Sequence, residues 1–140
     1  MRAELPDQLQ WTLKQVQDEF LRICQHALPS DRLPSVAPPL NVLEAVAEEI
    51  ATSLSAMGVA DGVIETFRRA CADLQQGTEW AHQSMKAGGM SRTLATWAID
   101  RLARAHRRLV EISTLLTLRL EWISMVGHHR DARGKPNHWQ

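Results

Sequence analysis

The sequence predicts an all-α protein, a four-helix bundle with a long C-terminal helix and a short basic tail, and three observations carry that prediction. Four stretches repeat apolar residues at steps of three and four, the period that keeps one face of a helix apolar. No stretch alternates apolar and polar residues for long enough to make a strand. The chain has 140 residues, 44% of them hydrophobic and 23% charged, which supports one core and neither a disordered nor a two-domain protein.

In the first helix Leu9, Leu13, Val16, Phe20, Ile23 and Ala27 share a face, so it is expected from about residue 8 to 28, capped by Asp7 and stopped by Pro29. Residues 29–40 read PSDRLPSVAPPL, whose four prolines remove backbone donors and disfavour helix before them, predicting an extended connector. Asn41 with Glu44 three residues later has the spacing of a capping box. Leu43, Val46, Ile50, Leu54 and Met57 follow as one stripe that ends at Gly58. A third helix is expected over 61–87, capped by Asp61, with Val63 or Ile64, Phe67, Ala70 or Cys71, Leu74, Ala81 and Met85 inward and Gly77 a point of kinking. Gly88-Gly89 reads as its C-cap rather than a phosphate cradle. Ser91 caps the last helix, where Leu94, Ala98, Leu102, Ala105, Leu109, Ile112, Leu116, Ile123 and Val126 hold one face as far as Gly127. Residues 1–127 therefore form a single helical domain, and the polar, basic stretch 128–140 a flexible tail.

Acids and a proline near the start, Glu4, Pro6 and Asp7, do not resemble a targeting segment, and the densest apolar run, Leu109 to Val126, is broken by Glu111, Arg119 and Glu121. A cytoplasmic protein without a membrane anchor is expected. Cys24 and Cys71 fall on apolar faces and are expected as reduced core thiols. Glu79 and His82 have the E-x-x-H spacing of di-iron bundles without the second motif such a site needs. His128, His129, Asp131 and His138 lie on a stretch that nothing preorganises, so neither metal nor other cofactor is expected.

The formal net charge is zero, but it is unevenly spread. Residues 1–87 carry seven Lys/Arg against twelve Asp/Glu, and residues 88–140 nine against four. Arg101, Arg104 and Arg108, with Arg107 beside them, make a ridge at i, i+3 and i+7 that can track phosphates, extended by Arg130, Arg133 and Lys135 in the tail. The competing expectation pairs Asp100 with Arg104, and Arg107 or Arg108 with Glu111, on a solvated face. No aromatic residue is read as interleaving with these arginines, which argues against base stacking. Arg101 and His106 have an R-x4-H spacing that resembles the active-site motif of the HEPN superfamily of small all-helical, often dimeric ribonucleases. The resemblance spans six residues and implies acid–base chemistry by His106 and phosphate stabilisation by Arg101. Leu102 departs from the polar residue that usually follows the Arg, and five helical positions turn about 140°, which separates the two side chains.

A last helix over 91–126 would be about 54 Å long, against a diameter of about 37 Å for a compact chain of this size. From Leu115 a second stripe opens, Leu115, Leu118, Trp122 and Met125, about a third of a turn from the first. Covering it requires either the first helix folding back or a second chain, and a homodimer is expected. The function expected from these residues is a non-enzymatic accessory or adaptor subunit that dimerises or docks in a larger protein complex through helix four. Nucleic-acid phosphates are a further expected partner, and a metal-independent ribonuclease using Arg101 and His106 is the alternative.

Overall fold

The computed structural model describes residues 5–86 and 91–133, with side chains described as far as residue 119. It is an all-α bundle of four helices: α1 (Leu5–Ala27), α2 (Leu40–Ala56), α3 (Asp61–Lys86) and α4 (Arg92–Arg133), with one 3-10 turn, Ser30–Arg32, in the connector. No strand occurs among the described residues.

The apolar stripes become the core. Leu9, Val16, Phe20 and Ile23 of α1, Ile50 and Leu54 of α2, Phe67 and Ala81 of α3, and Leu102, Leu109 and Ile112 of α4 are buried. Phe20 and Phe67 stack across the centre, ring centroids 6.3 Å apart. Helix α4 packs most extensively on α3 and next on α1, while α2 packs mainly on α3. The Ser53 hydroxyl donates to the Ala27 carbonyl, so the ends of α1 and α2 lie together. The connector must therefore run back beside α1, and Ser35, Val36 and Ala37 do line a groove with Trp11, Lys14 and Leu21. Helices α1, α2 and α4 then point one way and α3 the other.

Three expected caps are not used. Asp7 lies inside α1, which already includes Leu5 and Pro6, because proline is tolerated in a helix's first turn. Helix α2 begins at Leu40 with Pro39 at the N-cap and no side-chain cap bond. The Pro39 carbonyl itself accepts from the amides of Val42 and Leu43, so Asn41 and Glu44 form no capping box. Asp61 is the first residue of α3, one position past its expected place, and the Ala60 carbonyl accepts the Val63 and Ile64 amides. Ser91 does cap α4, its hydroxyl accepting from the Leu94 amide at 3.4 Å. At the end of α2, Gly58 has φ +82°, and the Val59 amide reaches Leu54 while the Gly58 amide reaches Ser55. These are the two bonds of a Schellman turn, which needs the left-handed conformation that glycine adopts without strain.

Gly77 neither breaks nor kinks α3: it is buried where α4 crosses, and a Cβ there would sit 2.7 Å from the Leu102 side chain. Helix α4 continues through Gly127 to Arg133, beyond its expected end, and residues 134–140 lie outside the described residues. One interior glycine costs about 1 kcal/mol, too little to end a helix whose flanks favour it. Cys24 and Cys71 are buried free thiols, as their faces imply. Among the described residues no helix is long and apolar enough to cross a membrane.

Candidate functional site

The basic ridge of α4 meets a buried carboxylate. Asp73 of α3 is 7% exposed; its Oδ2 accepts from Arg108 at 2.7 Å and its Oδ1 from Arg101 at 3.5 Å. The i, i+7 spacing puts both arginines on the line of α4 that faces α3, so each oxygen of one carboxylate takes one guanidinium. Arg104, between them, pairs instead with Asp100 at 3.2 Å, as its helix spacing implies. Arg108 therefore pairs with Asp73 rather than with Glu111; Arg107 and Glu111 are exposed and form no ion pair among the described residues. Three guanidiniums are thus balanced by two carboxylates.

Aromatic rings do adjoin the ridge, contrary to expectation. The Arg101 guanidinium lies 5.0 Å from the centre of the Trp80 ring, and Trp80 meets Trp97 at 5.8 Å with the planes 55° apart. With Asp100 these three residues line a shallow recess of about 320 Å³. Trp97 stands four residues before Arg101, hence on the same face of α4, and that spacing was visible in the sequence. Asp73 also left a trace, an acid adjoining Leu74 of the core stripe, but its partners lie 28 and 35 positions away.

Arg101 and His106 are not brought together by any described contact. Arg101 is engaged by Asp73 and Trp80, whereas His106 is half-buried and makes no hydrogen bond or ion pair among the described residues. Glu79 and His82 belong to no metal-ligating group, and no cluster of three or more His, Cys, Asp or Glu occurs among the described residues. Arg130 and Arg133 fall on the helical backbone of α4, but their side chains, and the whole of Lys135, lie outside the described residues.

The second stripe begins where the bundle ends. Leu116 is the last buried residue described on α4, and the next turn carries Arg119, whose guanidinium donates to the Met57 carbonyl at the α2–α3 junction. From there α4 continues to Arg133, a projection of about 20 Å at 1.5 Å per residue. Helix α1 does fold back onto α4, yet Leu115 and Leu118 remain 50% and 55% exposed. Trp122 and Met125 continue the same register; their side chains lie outside the described residues. No protein-family model, curated protein or solved structure matches this chain.

Proposed function

We propose that this chain is a non-enzymatic accessory or adaptor subunit that docks on a protein partner through the C-terminal half of α4. One observation carries the reading: Leu115 and Leu118 are half-exposed at the level where the other helices stop and α4 continues. Leucines left in water beside a projecting helix form the kind of apolar patch that association covers. A photo-reactive benzoylphenylalanine placed at Leu118 should give a discrete adduct in the native cell, and one placed at exposed Gln25 should not. Equal adducts at both positions, or none, would overturn docking through α4. The ribonuclease alternative predicts cleavage of mixed RNA in EDTA; intact RNA is expected, since no described contact brings His106 to Arg101.

Nucleic-acid phosphates form a second reading, supported by the half-exposed Trp97 beside Arg101 and Arg104. Arg101, Arg104 and Arg108 would carry it together with Arg130, Arg133 and Lys135. A generic single strand then binds with a salt slope that becomes shallower by roughly 2 units when the three ridge arginines are changed to Gln, at about 0.7 unit per phosphate. Anisotropy at three salt concentrations reads it, and an unchanged slope removes the reading.

A further inference from the structure

We propose that the partner covering α4 is a second copy of this chain, laid antiparallel to the first about a twofold axis beside position 120. The inference rests on the docking reading above and adds to it the identity and direction of the occupant.

The stripe has a symmetry that a heterologous partner does not require. Positions 115, 118, 122 and 125 are spaced three, four and three, so they read the same in both directions about position 120. Two helices laid antiparallel about that point set Leu118 against position 122 of the other copy and Leu115 against position 125, and no member of the stripe is left over. Such an isologous contact, in which i meets j and j meets i, is the commonest way for two identical chains to close.

The lengths agree independently. Helix α4 ends at Arg133, 13 positions beyond 120, and its projecting part is about 20 Å long. In the antiparallel register that projection lies along 107–119 of the other copy, the stretch that holds exposed Leu115 and Leu118. Each projection thus covers the open face of the other, and the two bundles stand at opposite ends of the contact without competing for space. A parallel pair puts both bundles at one end.

Mass and one distance test this. By light scattering at 100 µM the full chain should show twice 15.8 kDa, and Leu118→Glu should return it to one chain with its helical circular dichroism retained, since Leu118 supports no core contact. Because Cys24 and Cys71 are buried, a spin label directed to Ala103→Cys, exposed on another face of α4, reacts selectively. The two labels should lie about 50 Å apart, as twice 17 positions of helical rise requires, whereas a parallel pair brings them to about 20 Å. A dimer with the short distance, or a dimer that Leu118→Glu leaves intact, overturns the antiparallel contact. A single-chain mass at 100 µM overturns the second copy altogether. In that case the photo-adduct at Leu118 still decides docking by itself: an adduct of another mass keeps it, and no adduct ends both.

Discussion

Asp73 serves two helices with one side chain, and its removal has opposite consequences for stability and for charge. Changing it to Asn should destabilise the fold by about 1–2 kcal/mol in urea melts. The figure stays below that for a fully buried pair because Arg101 and Arg108 keep about a third of their side chains in water. The same variant removes the carboxylate that competes for Arg101 and Arg108, so if the ridge touches phosphate its binding should strengthen. The thiols give a second prediction at this scale. Burial pushes Cys24 up to about 11 from an ordinary 9.0, and burial raises Cys71 further, with the nearby Cys24 and Glu48 adding to it. A thiol whose folded pKa is raised holds its proton in the native state after the unfolded chain has lost it. Its stabilising contribution is therefore full below pH 9 and falls as the pH climbs towards 11, by up to about 1.4 kcal/mol per unit for each thiol. Urea melts at pH 8, 9 and 10 should show that loss, and Cys24→Ala with Cys71→Ala should flatten it. The inward place of both cysteines was legible because they fall on apolar stripes. Asp73 was not, because periodicity describes one helix at a time and its partners belong to another.

Among the elements, the crossing of α3 and α4 is set by Gly77. A methyl there would meet Leu102 at 2.7 and 2.8 Å in its side chain and at 3.3 Å in its backbone nitrogen, so the leucine cannot simply turn aside. Gly77→Ala should cost about 1–3 kcal/mol through overpacking, although alanine is the better helix former, and Leu102→Val in the same chain should recover part of it. Denaturant midpoints of the single and double variants decide this. Four helices and their inward faces were readable because a stripe such as Leu102, Ala105, Leu109 and Ile112 is a direct record of burial. The helix starts were read less well. Pro39 and Ala60 stand at the helix starts where Asn41 and Asp61 were expected, and shifts of two residues and one leave the hydrophobic period unchanged. The second stripe on α4 was legible as a pattern, and the exposure of Leu115 and Leu118 shows that α1 leaves that part of it open.

In the molecule as a whole, α1 and α2 are neighbours in sequence but point the same way, and α1 finds its main partner in α4, the helix most distant along the chain. Helices α2, α3 and α4 are joined by short connections and can assemble from contacts near in sequence; α1 cannot. Substitutions in α1 such as Val16→Ala should therefore speed unfolding while leaving the folding rate nearly unchanged, whereas Phe67→Leu in α3 should slow folding, a contrast that stopped-flow chevrons resolve. The order has a cost during synthesis. At roughly 5–20 residues per second, Leu109 follows Phe20 out of the ribosome by roughly 4–18 s. Through that interval Leu9, Val16, Phe20 and Ile23 form an apolar face with no α4 to receive it. The same connector that returns the chain beside α1 thus leaves the apolar face of the first helix without its main partner until the last helix has emerged.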